Sequence, residues 1–470
     1  MQNTPPQSQP DRPPHLAAPS GAALVAVEQA LALATELAPL LATADGLQRC
    51  YDTLVGLCVS EGMVARFASL RGRRLARLDW PAAVGSAPAG RHIGAILLAA
   101  HLRSDPAWKQ PSSKAAPEAP SSNAAPPAPG QARLVPTGLW GGVLSVANAL
   151  AFAQRGRLAV LLEVDDPSAE VSVVDAATLL GGCHAAVAGD GGVPYRVDDQ
   201  MILPITTAQR AARWLEFEVT RETSDQTDLS LADEEDAIAT LISKLAALPP
   251  LPLRCGPLAQ AILAGHGLDG AAIAATERAV RDFAQVSGEA LRNEAPQPGA
   301  LEVGVLRYLR ATMRGDLRVT HLSAGARPDR GSASARALLD LRMPPDQSAA
   351  DAEPALATLR TAGASLRDLA GRHGVLGRDD DPARVAVARA AAAFGLTMRL
   401  APALAARDHD GLPWRTADLP VIGFAPVWIA PTRDGNSELR HGSMPTDDAG
   451  LRWGATLYAA VAGRLDGGVA

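Results

Sequence analysis

The stretch AILLAAHLRSDPAW, Ala95 to Trp108, decides how this chain of 470 residues is read. Its short apolar run, bounded by Gly94 and by charge, predicts a β-strand covered on both faces, as parallel sheets require. His101 then stands at the strand's C-terminal end, where open α/β sheets gather ligands and catalytic groups. A metal-ligating histidine usually leans on a carboxylate. Here Leu102, Arg103 and Ser104 follow it instead.

Around that strand the apolar spacing predicts alternating elements. Two helical stretches run from Ala22 to about Leu70, RRLARLDW reads as an edge strand, and Ile93–His101 as a central one. GLWGGVLSVANALAFAQRGRLAVLLEVDD predicts a glycine turn, a helix near Val143–Gln154 and a strand over Leu158–Val164. The βαβ rhythm continues with a helix near Ala169–Leu180 and a strand near His184–Ala188. After Ile205 the character changes to half-exposed strands (RWLEFEVTRE, DLRVTHLS, SARALLDLRM) with helices at ADEEDAIATLISKLAAL, near Ala271–Arg292 and from Asp351. Such a segment is a small α+β sandwich. The α/β pattern resumes at Pro382 and closes on a helix over Ala449–Leu465.

The expected organisation is therefore a Pro-rich disordered start (1–20), an α/β segment (21–207), an inserted α+β domain (208–362) and a second α/β segment (363–470). Within the first segment, residues 109–131 are low-complexity Pro, Ala and Ser, a flexible insertion unable to bury enough apolar surface to order itself.

Composition narrows the function classes. The net charge is −6 and the Lys and Arg residues are scattered, which argues against a nucleic-acid groove. Cys50, Cys58, Cys183 and Cys255 form no CxxC pair and read as reduced core residues. No signal-peptide pattern opens the chain and no uncharged apolar run reaches the roughly 18 residues of a membrane helix, so a cytoplasmic protein is expected.

The order of elements and several motifs resemble the cocatalytic zinc peptidases, a family that includes aminoacylase, succinyl-diaminopimelate desuccinylase and the carnosine-type dipeptidases. The resemblance runs from about Ala22 to Leu465. It implies a phosphorylase/hydrolase-like three-layer α/β/α catalytic domain with an inserted ferredoxin-like α+β lid that serves dimerisation. It also implies a pair of zinc ions. His101 takes the place of the family's first histidine, but Arg103 replaces the aspartate two residues on. GLWGG takes the bridging turn with Gly141 and Gly142, and Gly138 stands where the bridging aspartate belongs. Asp165 and Asp166 take the Glu-Glu position, Asp190 in AVAGDGG the later aspartate, and His441 the last histidine. On the lid, LLDLRMPPD offers Arg342 for a substrate carboxylate, and TDLSLADEED lacks the lid histidine.

Two-metal hydrolysis needs a bridging carboxylate and a base near the bridging water. Glycine at 138 has no ligand atom, and Arg103 places a fixed positive charge beside His101. The expected protein is metallopeptidase-like and catalytically impaired, keeping a peptide or acyl-amino-acid ligand or a partner. An alternative is an active amide hydrolase whose zinc is held by His101, Asp166, Asp190 and His441, with Asp165 as base. A structural subunit that forms a homodimer through the lid is the third. Each residue also has a plain structural reading: His101 as a strand-end histidine bonded to backbone, Asp165–Asp166–Pro167 as a solvated turn, Asp190 as a turn former, His441 as a loop histidine.

Overall fold

The structure is a computed structural model that describes residues 16–37, 39–40, 45–69, 73–81, 95–102, 133–152, 158–165, 182–192, 194–197, 200–220, 237–285, 303–324, 334–394, 396, 398–405, 419, 421–424, 427–428, 443–446 and 448–466. Most of the start expected to be disordered, the 109–131 insertion, the helix expected near Ala169–Leu180 and the site residues Arg103, Asp166 and His441 lie outside them. Two compact units divide the chain: unit 1 is Met1–Thr207, Gly377–Ala403 and His409–Ala470, and unit 2 is Ala208–Leu376 and Leu404–Asp408.

The chain opens with α1 (Ala22–Leu37), α2 (Gly46–Ser60), β1 (Val64–Ser69), β2 (Arg73–Asp79), β3 (Ala95–Leu102), β4 (Arg133–Pro136), α3 (Thr137–Ala151), β5 (Leu158–Asp165), β6 (Cys183–Gly192), β7 (Tyr195–Val197) and β8 (Gln200–Gln209). There follow β9 (Ala211–Thr220), α4 (Ala237–Ala246), α5 (Pro257–Gly265), α6 (Gly270–Gln285), α7 (Val303–Met313), β10 (Asp316–Ala324), β11 (Ser334–Met343), α8 (Glu353–Ala357), β12 (Ala364–Arg372) and β13 (Val375–Leu376). The last are α9 (Pro382–Ala393), β14 (Met398–Leu404), β15 (Val421–Phe424), β16 (Ser443–Thr446) and α10 (Asp448–Asp466).

In unit 1 a mixed sheet runs in the order β1-β2-β5-β3-β6-β15-β8. Strand β3 lies between β5 and β6 and is parallel to both. Its alternate residues serve two cores. Leu98, Ala100 and Leu102 join Leu158, Val160, Leu162 and Val164 in the main core, with residues of α1, α2, α3 and α10. Ala99 joins Leu75, Ala159, Leu161, Ala186 and Ala188 in a second cluster. Burial on both faces is why these strands read as unbroken apolar runs, each large side chain contributing roughly 1.5–3 kcal/mol.

Several local expectations change. The second helix does not continue to Leu70. It ends at Ser60, Gly62 turns the chain at φ 99°, and its amide bonds to the Val59 carbonyl. That left-handed conformation suits glycine, and VARFAS then pairs as β1 with β2. RRLARLD is accordingly an interior strand, flanked by β1 and β5, and not an edge. GLWGG is no turn but lies within α3, and Asp190 lies inside strand β6 rather than in a turn.

The two glycine motifs meet. A Cβ built on Gly189 would fall 2.4 Å from the Gly141 Cα, and one on Gly141 would fall 2.9 Å from the Gly189 backbone. Only two glycines let the first turns of α3 rest directly on β6. Neighbouring Gly142 is different, since its Cβ would meet the Leu102 side chain at 3.3 Å.

Unit 2 carries a four-stranded antiparallel sheet in the order β10-β11-β9-β12. Ala364–Arg372, placed by the sequence with the second α/β segment, pairs with β9 in this sheet. Leu215, Phe217, Val219, Ala335, Ala337, Leu339 and Leu341 alternate into a core with Leu241 of α4 and Leu356 of α8. A separate apolar cluster joins α5, α6 and α7. Two of these helices, α5 and α7, have no counterpart in the sequence expectations.

No single described helix is long and apolar enough to cross a membrane. The four cysteines are unpaired, and burial raises the thiols of Cys50 and Cys58 to about 11 and about 12. Both should therefore resist thiol reagents at pH 8 until the protein is unfolded, as a thiol titration with and without denaturant would show.

Gly189→Ala should lose about 1–3 kcal/mol in urea unfolding, because backbone has to move to admit the methyl. Gly142→Ala should fall within about 1 kcal/mol of the parent, the flexible Leu102 yielding while the helix gains from alanine.

Candidate functional site

The C-terminal ends of β3, β5 and β6 hold three of the six residues that the sequence nominated. His101 is the penultimate residue of β3, Asp165 the last of β5, and Asp190 lies two residues past Ala188 in β6. The side chains of His101 and Asp190 are outside the description. Gly138 sits in the first turn of α3. His441 precedes β16, whose Ser443 pairs with Pro136 at the entry to α3. The backbone positions of His101, Asp165 and Asp190 therefore lie at one end of the unit 1 sheet, which is what its parallel strand order demands.

The best-defined feature there is one that sequence reasoning missed. Glu163, two residues before the end of β5, is fully buried. It is the register partner of His101 on one side, in β3, and of Leu75 in β2 on the other. Arg73, two residues before Leu75 in β2, reaches its carboxylate: Nη1 donates to Oε1 at 2.5 Å. The same guanidinium places Nε 4.0 Å from Oδ1 of Asp165, which is its own register partner. The second oxygen of Glu163, Oε2, is buried and meets no hydrogen-bond partner among the described residues. The signal was present in the sequence, for a lone glutamate inside LAVLLEV breaks an otherwise apolar run. Isolated buried carboxylates are costly, so such a residue has to find a cation.

That arrangement bears on zinc. A divalent ion taken by Oε2 would lie on the order of 5 Å from the Arg73 guanidinium and, at an effective dielectric constant near 20, would meet roughly 6–7 kcal/mol of repulsion. Gly138 supplies no donor, and the two described carboxylates at the strand end are already engaged by one arginine. Among the described residues no group of three or more His, Cys, Asp or Glu is placed to hold a metal. The described residues by themselves make no zinc centre, and the side chains of His101, Asp166, Asp190 and His441 lie outside them.

Arg342 lies in unit 2, on β11, where its Nε donates to Oδ2 of buried Asp340 at 2.7 Å. Its backbone carbonyl accepts from Nη2 of Arg210 at 2.9 Å, and the Arg314 carbonyl accepts from the same atom at 3.1 Å. Burial lowers Arg210 to about 10, so it stays cationic at neutral pH. Arg342 is thus oriented by a carboxylate, and its side chain is 27% exposed. A separate open cavity of about 640 Å³ in unit 1, lined by Tyr51, Asp52, Val55, Val59, Phe67 and Arg74 among others, includes none of the nominated residues.

No protein-family model matches the sequence, and no curated protein does. Solved structures do match. Human carnosine dipeptidase 1 aligns with a TM-score of 0.51 at 13% identity, over 96% of this chain and 100% of that one. Aminopeptidase PepT from Bacillus cereus aligns at 0.48 and 11%, over 93% and 97%, and the dipeptidase Dug1p from Saccharomyces cerevisiae at 0.48 and 11%, over 96% and 100%. The likeness is one of fold, and it supports the resemblance to the zinc peptidases at that level.

Arg73→Ala should cost about 3–5 kcal/mol by leaving Glu163 buried and unpaired. Arg66→Ala, which removes the exposed partner of Asp79, should cost less than about 1 kcal/mol. Urea unfolding of the two variants checks the contrast.

Proposed function

We propose that this chain is a peptidase-fold protein with an impaired metal centre, which binds a peptide or acyl-amino acid without hydrolysing it. The observation that carries the reading is Arg73: it engages the carboxylates at the end of β5, among them Asp165, which the resemblance sets at the Glu-Glu position. Gly138 supports it from the other side, since a residue without a side chain in the first turn of α3 cannot bridge two cations. Zinc, when bound in such enzymes, polarises the scissile carbonyl and activates water. Nothing in the described donor set takes over that work. What remains is recognition, for which Arg342 is the candidate: its guanidinium is oriented by Asp340, its side chain is partly exposed, and arginine is suited to pairing with a ligand carboxylate.

Calorimetric titration with dipeptides and N-acyl amino acids, run beside a hydrolysis assay in added zinc, tests the proposal. Binding without turnover is expected, retained in His101→Ala and weakened about 10- to 100-fold in Arg342→Ala with the fold intact. Zinc-dependent hydrolysis that disappears in His101→Ala would overturn it. The alternative would then hold, with His101, Asp166, Asp190 and His441 as ligands and Asp165 as base.

A second reading, self-association through unit 2, is favoured by one observation. Strand β10 forms an edge of the four-stranded sheet and is exposed over most of its length, with Val319 at 43% and Leu322 at 54%. A long exposed edge of this kind is a template for pairing with another chain. Light scattering should show a homodimer that Leu322→Lys dissociates, and a monomeric parent would dismiss this reading.

A further inference from the structure

We infer that the cavity between α2 and the antiparallel pair β1–β2 is a ligand site of unit 1, and that it takes a free α-amino acid with a large apolar side chain. The inference is independent of the role proposed for Arg342, which lies in unit 2.

Gly56 lies in the interior of α2, where glycine weakens a helix relative to alanine. Neither backbone nor packing asks for it there. Its φ is not positive, and a Cβ built on it meets nothing within 4 Å. What the missing side chain does is leave space. Gly56 lines the open cavity of about 640 Å³ together with Val55 and Val59 of the same helix and Phe67 and Ala68 of β1. A volume of that order is what small-molecule sites enclose. Val59 and Phe67 are 48% and 57% exposed, and both stand on this wall. Exposed apolar side chains gathered around one concavity mark a binding surface.

The polar lining narrows the class of ligand. Among the described residues, Tyr51, Asp52, Ser69 and Arg74 complete the wall. Tyr51 is 1% exposed, and its hydroxyl meets no hydrogen-bond partner among the described residues. A buried hydroxyl in that state is costly until a ligand or water completes it. Burial raises it above the ordinary tyrosine range, so it remains a protonated donor at neutral pH; the Arg74 guanidinium acts to lower it and the Asp52 carboxylate to raise it further. Opposite charges thus act on one hydroxyl in the wall of an apolar cavity. Asp52 is steadied by Gln48, whose Nε2 donates to Oδ1 at 3.0 Å. A fatty acid would suit Arg74 and be opposed by Asp52, and a simple amine would meet the reverse. A zwitterion suits both: its carboxylate meets Arg74 and Tyr51, its ammonium meets Asp52, and its side chain meets the valines and Phe67.

Equilibrium dialysis of the full chain against phenylalanine, 3-phenylpropanoate and phenethylamine tests this, because each of the last two lacks one of the charges. Phenylalanine should bind at one per chain, and the other two about 10-fold or more weakly. Gly56→Leu should abolish binding while melting no lower than the parent, since leucine favours a helix and has open space ahead of it. Should that variant not fold, Phe67→Ser, at an exposed position, carries the same test with about a 10-fold loss. Asp52→Asn should weaken phenylalanine and leave 3-phenylpropanoate no weaker than before, and Arg74→Gln should do the same with phenethylamine. No bound phenylalanine at millimolar concentration in the folded parent would overturn the inference. So would binding that survives Gly56→Leu, or either single-charge probe held as tightly as phenylalanine. Loss of phenylalanine from a folded Arg342→Ala would place it in unit 2 and overturn the inference as well.

Discussion

The meeting of Gly141 with Gly189 is the constraint on which the arrangement of unit 1 depends. Backbone rests on backbone there, and a single methyl on either residue would come closer than real Cβ atoms do. The contact sets the first turns of α3 down on β6 and lets Gly142 approach Leu102 at the end of β3. Pairing of Ser443 with Pro136 then delivers the chain ahead of α10 to the same place. Segments more than 300 residues apart in sequence therefore converge because two small residues allow it.

A second, electrostatic constraint works at the neighbouring strand end. Glu163 has no access to water, so the folded chain has to supply its counter-charge. Arg73 does so from β2, a strand that runs antiparallel to β5 and so brings its first residue to the last of β5. The same geometry sets the guanidinium near Asp165. An arginine is a permanent cation and cannot release its charge to a substrate's chemistry. The charges at this strand end are thus those of an ion pair held by the sheet.

Unit 2 shows how context decides the meaning of a motif. LLDLRMPPD nominates Arg342 as a residue for ligands. In the fold that arginine is first a partner of Asp340, and its carbonyl is an acceptor for Arg210. A guanidinium has donors enough for both tasks. Which of them dominates is set by the exposure of the side chain, and strand β11 leaves it partly open.

The apolar frame was legible from the residues alone. Runs such as AILLAAHL and LAVLLEV announce strands covered on both faces, and the closing helix follows from its spacing. These features depend on local composition, which a one-dimensional reading can weigh. The end of α2 at Gly62, the helical state of GLWGG and the strand at Asp190 were misread because glycine marks turns, close approaches and helix stops alike. Only the tertiary structure separates these uses, since the difference lies in what stands opposite. The same holds for Glu163: its burial could be suspected from the sequence, but that Arg73 faces it, with His101 in register on the other side, is decided by strand order. Strand order is a long-range choice that residue spacing does not carry.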